Sequence, residues 1–123
     1  MTDQKAKILI IEDSKFLYTI YSEKFAASGY DVVSAVDGEE GVQKAKVEKP
    51  SLIILDGVLP KKSGLEVLEE IKKDPDTNSI PVVVLSNLDT ETEKWMQLGA
   101  VAYLVKADLS IDEITDQIKK YLP

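Results

Sequence analysis

The segment that decides the fold of this chain is SLIILDGVLPKKSG, residues 51–64. It contains a run of four apolar residues, LIIL, which is typical of a β-strand buried on both faces of a sheet. That strand runs directly into a carboxylate, Asp56, and then into a turn with Pro60 and Gly64. A charged side chain at the end of so apolar a strand is the first indication of a functional site.

The composition limits what the chain can do. Its 123 residues are enough for one compact domain, so we expect a single domain over residues 1–123. The 15 Lys and Arg against 22 Asp and Glu give a formal net charge of -7, which disfavours direct binding to nucleic acid or to anionic lipid. The absence of Cys and His excludes disulfides, thiolate or imidazole metal ligands, and imidazole catalysis. Without a signal-peptide pattern or an apolar run near the roughly 20 residues of a membrane span, we expect a cytoplasmic protein.

Five short segments have the composition of β-strands. Four are apolar and rich in β-branched residues, and a weaker fifth alternates apolar and polar residues as an edge strand does. The four are KILIIE (7–12), SLIIL (51–55), IPVVVLS (80–86) and AYLVK (102–106), and the fifth is YDVVSA (30–35).

Segments with helical spacing separate these strands. Apolar residues recur every three or four positions in three of them: Leu17, Tyr21 and Phe25; Leu65, Leu68 and Ile71; Ile111, Ile114, Ile118 and Leu122. Pairs with capping-box spacing mark four helix starts: Asp37 and Glu40, Ser63 and Glu66, Thr90 and Glu93, Ser110 and Glu113. Residues that end helices follow at Gly29, Pro50, Pro75 and Gly99. The alternation predicts right-handed βαβ crossovers and a doubly wound parallel sheet with helices on both faces.

Polar residues stand at the carboxyl ends of the four apolar strands. They are Glu12, Asp13, Asp56, Ser86 and Lys106. In an open parallel sheet, ligands bind beyond these ends, where the strand order reverses. Three carboxylates within about 5 Å of each other would repel by on the order of a few kcal/mol per pair, so the arrangement favours a cation. Mg²⁺ takes oxygen ligands and keeps several waters, and it suits this sparse set better than Ca²⁺.

Asp56 is also a candidate nucleophile. A carboxylate is able to attack phosphorus while a metal ion and a lysine neutralise charge on the transferred oxygens and a hydroxyl donates to one of them. Lys106 and Ser86 could supply the lysine and the hydroxyl.

Each of these polar residues also has a purely structural explanation. Glu12 and Asp13 would be favourable at a helix N-terminus, and Asp56 could cap its turn. Lys106 could be a solvated strand end and Ser86 a helix cap.

Taken together, the sequence resembles the receiver domain of response regulators, over essentially the whole chain. The matching strings are ILIIEDS with its acid pair, LIILDGVLPKKSGLEVL with Asp56, Pro60 and Gly64, VVVLSN with its hydroxyl residue, and GAVAYLVK with its aromatic residue and lysine. The resemblance implies a flavodoxin-like, doubly wound sheet of five parallel strands in the order 2-1-3-4-5. It also implies a single-domain receiver of a two-component or phosphorelay system.

The same resemblance implies the chemistry of the site. Asp56 would accept a phosphoryl group from a phosphohistidine on a sensor histidine kinase or a histidine phosphotransfer protein. Glu12, through water, and Asp13 would hold Mg²⁺ with Asp56 and the backbone carbonyl of Val58. The chain would then be a signalling phosphoacceptor that assists its own phosphorylation and dephosphorylation, and not an enzyme.

The resemblance further implies how the signal would leave the domain. Ser86 and Lys106 would contact the phosphoryl group, and Tyr103 would change rotamer together with Ser86. The face formed by the fourth helix, the fifth strand and the fifth helix would bind a downstream protein. That face would include Tyr103 and Trp95.

Two positions depart from the family pattern. Ala107 follows the lysine, where the family usually has a proline after a cis bond, and a cis bond before a non-proline residue costs about 3 kcal/mol. Asn87 follows the hydroxyl residue, where the family commonly has a smaller side chain.

A further feature of the sequence concerns the lifetime of the phosphoryl group. Val58 and Leu88, two residues after Asp56 and Ser86, are apolar and unable to orient water, which predicts a long-lived aspartyl phosphate.

Three alternatives come from other classes of protein. A Mg²⁺-dependent phosphohydrolase typically has a second acid two residues after the nucleophile, where this chain has Val58. A nucleotide-binding flavodoxin-like module would need a glycine-rich loop after the first strand, where this chain has EDSKF. A degenerate receiver that only docks partners is the third, and the replacement of the usual proline by Ala107 keeps it open.

Overall fold

Strands and helices alternate along the chain in the computed structural model, which describes residues 6–87 and 91–123. The strands are β1 (Lys7–Ile11), β2 (Asp31–Ala35), β3 (Leu52–Asp56), β4 (Val82–Ser86) and β5 (Ala102–Val105). The helices are α1 (Lys15–Ala27), α2 (Gly38–Glu48), α3 (Gly64–Lys73), α4 (Thr92–Gln97) and α5 (Ile111–Lys119), with a short 3₁₀ helix over Lys106–Asp108.

The five strands form one parallel sheet in the order β2-β1-β3-β4-β5. The predicted flavodoxin-like fold and its strand order are therefore confirmed, as is the edge position of β2. The chain runs outward from β1 to β2 and then crosses back to β3, so the strand order reverses between β1 and β3. This reversal leaves a crevice at the carboxyl ends of β1 and β3. Glu12 directly follows β1, and Asp56 ends β3.

Side chains of the central strands alternate between two hydrophobic cores, one on each face of the sheet. One core packs against α2, α3 and α4 and includes Leu9, Ile53, Val84, Val67, Leu68 and Trp95. The other packs against α1 and α5 and includes Ile8, Ile54, Val83, Tyr21, Phe25, Ile114 and Ile118. The LIIL run of β3 contributes to both cores and is at most 1% exposed, as its sequence predicts for a strand buried on both faces.

Most helix ends follow the predicted capping signals. Asp37, Ser63 and Ser110 each accept a hydrogen bond from the backbone N–H three residues later, and each such cap is worth about 1 kcal/mol. Gly29 and Gly99 follow α1 and α4 with positive φ angles of 93° and 111°, a conformation that favours glycine. The predicted cap at Thr90 lies outside the described residues.

The strand boundaries differ from the predicted ones by one or two residues. β4 begins at Val82 instead of Ile80, because Pro81 has no N–H with which to pair. The prediction that Lys106 lies within β5 is wrong: the pairing of β4 with β5 ends at Ser86 and Val105, and Lys106 begins the 3₁₀ helix. Within residues 6–87 and 91–123, none of the helices has the length and the apolar composition that crossing a bilayer requires.

Candidate functional site

Three carboxylates meet at the carboxyl end of the sheet. The backbone N–H of Glu12 donates to the carbonyl of Ala35 at 3.0 Å, which holds Glu12 and the following Asp13 beside β2. Asp56 is placed next to them by the parallel pairing of β1 with β3. One carboxylate oxygen from each acid lies within 4.8 Å of the others, a cluster that could hold a metal ion. The proximity inferred from the strand ends, within about 5 Å, is therefore observed.

Glu12 is the most deeply buried of the three acids, with 5% of its surface exposed. Its Oε1 accepts from Lys106 Nζ at 3.2 Å, and its Oε2 accepts from the backbone N–H of Ser14 at 3.3 Å. The pKa of Glu12 is raised from 4.5 to about 7, mainly because the carboxyl is buried and also because the Asp56 carboxyl is close to it. Lys106 and the N–H of Ser14 lower this pKa, but their effect is smaller. The charge on this carboxyl is therefore costly, and a cation in the cleft would lower that cost.

Lys106 supplies one positive charge to the site. Its side chain is 10% exposed, and Nζ lies 3.2 Å from Glu12 Oε1 and 3.7 Å from Asp56 Oδ2. Burial lowers the pKa of Lys106, but the negative charges of Asp56 and Glu12 outweigh that effect, so the net pKa is raised and the lysine is charged. The alternative explanation of Lys106 as a solvated strand end does not agree with this burial. The bond between Lys106 and Ala107 is trans, so the lysine reaches the acids without the cis bond usual in the family.

The Asp56 carboxylate caps its turn, which is one of the two roles considered from the sequence, and its role as a nucleophile stays a prediction. Its Oδ1 accepts from the backbone N–H of Val58 at 3.1 Å, which caps the turn after β3. Its Oδ2 faces Lys106, and the side chain is 11% exposed. The Val58 side chain is 68% exposed beside it. The carboxylate is thus held in place by one oxygen and reached from solvent through the cleft.

A cleft of about 280 Å³ opens above these groups, and its walls include Leu17, Val58 and Asn87. Water occupies about 30 Å³ per molecule in the liquid, so the cleft has room for a hydrated cation beside a phosphoryl group. Asn87, which is larger than the residue usual at this position in the family, lines the cleft.

Ser86 lies at the border of a second, smaller pocket. It is the last residue of β4 and is 4% exposed. The pocket has a volume of about 130 Å³ and is also lined by Gly57, Trp95 and Tyr103. Because α4 begins at Thr92 with Glu91 before it, Ser86 is not the cap of that helix. Its predicted role as a phosphoryl contact stays a prediction.

Trp95 and Tyr103 form an aromatic pair with ring centroids 6.1 Å apart. Trp95 is 5% exposed and belongs to the core between the sheet and α2, α3 and α4, whereas Tyr103 is half-buried on β5. Trp95 therefore lies beneath the predicted partner-binding face, and only Tyr103 of the two reaches its surface. Leu88, named with Val58 in the lifetime hypothesis, lies outside the described residues.

Sequence reasoning missed two residues that shape the site. Ser14 caps α1 with its hydroxyl, which accepts from the Leu17 N–H at 3.3 Å, and its own N–H donates to Glu12. Gly57 lines the pocket at Ser86 and lies close to that residue, since a methyl group added there would lie 3.2 Å from Ser86 Oγ. The position of Ser14 directly before a helical segment could have indicated its role as a helix cap. Nothing in the sequence indicated that Gly57 lies close to Ser86.

Comparisons with known proteins identify the family to which this chain is similar. The family model of the response regulator receiver domain matches residues 8–119. The alkaline phosphatase synthesis transcriptional regulatory protein PhoP of Bacillus subtilis is 37% identical over 118 residues, which are 94% of this chain and 48% of PhoP. The chain thus spans about half the length of that relative.

Two solved structures of response regulators are similar to this chain. The phosphorylated cyanobacterial phytochrome response regulator RcpA has a TM-score of 0.84 and 33% identity, covering 97% of this chain and 94% of its own. The Mn²⁺-bound form of the response regulator Rcp1 has a TM-score of 0.81 and 32% identity, covering 96% of this chain and 99% of its own.

The chain belongs to the response regulator receiver domain family. It is a signalling domain of the two-component type, and its acidic cluster is compatible with Mg²⁺.

Proposed function

We propose that this chain accepts a phosphoryl group on Asp56 from a phosphohistidine carried by a sensor histidine kinase or a histidine phosphotransfer protein. The observation that carries the proposal is the convergence of Asp56 with Lys106 and two further acids in one cleft. Membership of the receiver family supports the class of reaction. The phosphorylated form would switch a protein-binding face made of α4, β5 and α5.

In the proposed step, a carboxylate oxygen of Asp56 forms a bond to phosphorus while the bond from phosphorus to the donor imidazole nitrogen breaks. The electron pair of that bond remains on the imidazole nitrogen, and the leaving imidazole is neutral because one of its nitrogens carries a proton, either present beforehand or taken from solvent. Lys106, charged and 3.7 Å from Asp56 Oδ2, neutralises charge that builds on the phosphoryl oxygens. The Ser86 hydroxyl donates to one of these oxygens.

Glu12, Asp13, Asp56 and the backbone carbonyl of Val58 would hold Mg²⁺ in the proposed site. Three carboxylate oxygens within 4.8 Å of one another fit a hard divalent cation. When bound, the ion supplies further neutralisation of phosphoryl charge. The Mn²⁺-bound form of Rcp1 supports this assignment for the family.

The proposal extends to the surroundings in which the domain works. Residues 1–123 would act as one receiver domain in the cytoplasm, with output through protein contacts. The net charge of -7 argues against direct contact with nucleic acid or with a membrane surface.

Intact-mass measurement after incubation with acetyl phosphate or phosphoramidate and Mg²⁺ tests the proposal. The wild type should gain one phosphoryl group, and Asp56→Asn should gain none. Asp116→Asn, which changes an exposed acid on α5, is the matched control and should behave as the wild type does. A wild type that never acquires the adduct would identify a docking-only receiver. Catalytic release of phosphate over many turnovers would identify a phosphohydrolase instead.

A further inference from the structure

The indole of Trp95 lies close to the backbone of Gly57 and Gly64, two glycines that come after Asp56 in the chain. A methyl group added at Gly64 would lie 2.8 Å from Trp95 Cη2 and 2.9 Å from the carbonyl oxygens of Asp56 and Gly57. A methyl group added at Gly57 would lie 3.6 Å from Trp95 Cζ2. The indole of α4 thus fills the space beside Gly64, at the start of α3, and lies near Gly57, which follows β3. Close packing of this kind transmits displacements because it leaves no slack between the two elements.

The same indole forms a wall of the 130 Å³ pocket at Ser86. The Ser86 hydroxyl borders this space from β4, at 3.2 Å from the methyl position of Gly57, and Tyr103 borders it from β5. A movement of the Ser86 hydroxyl toward a group on Asp56 would therefore alter the space directly beside the indole. The pocket gives the indole room to follow such a movement, whereas its close packing against Gly64 restricts it.

We propose that Trp95 is a positioning residue that links α4 to the state of Asp56, through its close packing against Gly64 and through the pocket that it shares with Gly57 and Ser86. This inference rests on the proposed function and deepens it. The family resemblance assigns the movement to Tyr103 on β5, and the Trp95 contacts add a direct connection from the turn after Asp56 to α4. Cη2, the indole atom nearest to the methyl position of Gly64, belongs to the six-membered ring, and a phenylalanine ring would not reach as far.

Fluorescence provides the first test, because Trp95 is the only tryptophan of the chain. Emission is recorded before and after addition of acetyl phosphate with Mg²⁺, and intact mass is measured on the same sample. We expect the intensity or the wavelength of the emission to change in proportion to the adduct, and to stay constant in Asp56→Asn. Phosphorylated wild type with unchanged emission overturns the inference and leaves the proposed function intact. Absence of the adduct overturns both.

Amide NMR shifts of Trp95→Phe provide the second test. This variant should acquire the phosphoryl group as the wild type does, and the amides of Lys106 and Ala107 beside the site should still respond. The amides of α4 should lose at least half of their response. Met96→Leu, a change at a 42% exposed neighbour on the same helix, should keep the full response. The inference is overturned if the α4 amide shifts respond to phosphorylation equally in Trp95→Phe and in the wild type. If Trp95 has only a structural role, the variant should have a lower melting temperature, and the amides of α4 and those of Lys106 and Ala107 should change to the same extent.

Discussion

Replacing Glu12 by glutamine should stabilise the protein at alkaline pH when metal ions are chelated. The folded-state pKa of Glu12, about 7, lies above its ordinary value of 4.5, so the folded state binds the proton more tightly than the unfolded state does. The stability that this proton contributes is fully present below about pH 4.5 and is lost as the pH rises through about 7. A glutamine side chain at this position has no carboxyl proton to lose, so the variant would not show this loss of stability.

The size of the effect follows from the same two values. A rise from 4.5 to about 7, at about 1.36 kcal/mol for each pKa unit, amounts to about 3 kcal/mol. Solvent screening reduces this little, because Glu12 is only 5% exposed. The free energy of unfolding of Glu12→Gln should therefore exceed that of the wild type by up to about 3 kcal/mol at about pH 8, and the difference should approach zero near pH 4.5.

Urea denaturation in a chelating buffer, from about pH 4.5 to about pH 8, measures this difference. Glu23→Gln, at an exposed position of α1, is the matched control and should differ from the wild type by an amount that does not depend on pH. Saturating Mg²⁺ should restore stability to the wild type and less of it to Glu12→Gln. A difference between Glu12→Gln and wild type that is constant with pH, or that grows toward acid pH, would refute the reasoning.

Three further predictions concern the metal, the switch and the lifetime of the phosphoryl group. Asp13→Asn should raise the melting temperature without Mg²⁺, because it relieves repulsion within the acid cluster, and it should weaken Mg²⁺ binding; a wild type whose melting is indifferent to Mg²⁺ would contradict this. Ser86→Ala should still take up the phosphoryl group, but the Tyr103 ring signals in NMR should no longer respond to it; equal responses in variant and wild type would show that the hydroxyl is not needed. Val58→Asn changes a 68% exposed side chain and should cost less than about 0.5 kcal/mol in stability, while phosphate is released a few-fold faster after removal of the donor. Leu88→Glu should have the same effect, and decay no faster than in the wild type in both variants would disprove the lifetime hypothesis.

Features that depend on strand and helix periodicity could be predicted from the sequence. The LIIL run predicts a strand buried on both faces, and the parallel order brings every polar strand end to one edge. Glu12, Asp56 and Lys106 could therefore be placed together before their distances were known.

Features that depend on packing across the sheet could not be predicted in this way. The raised pKa of Glu12 results from the burial of its carboxyl, and no local pattern reveals that burial. The packing of Trp95 against Gly64 joins α4 to the turn after β3, although an aromatic residue in a helix is by itself typical of any core. The start of the 3₁₀ helix at Lys106 depends on where the pairing with β4 ends.

The ion pair between Glu12 and Lys106 joins residues 94 positions apart in the chain. The first half of the chain supplies the acids, and the second half supplies the lysine and the hydroxyl, so neither half contains the complete set. A polypeptide still being synthesised, or one cut between α3 and β4, would carry the acids without their cation. Under the proposed function, a chain would respond to a phosphodonor only after β4 and β5 have joined the sheet, so signalling would itself depend on complete folding.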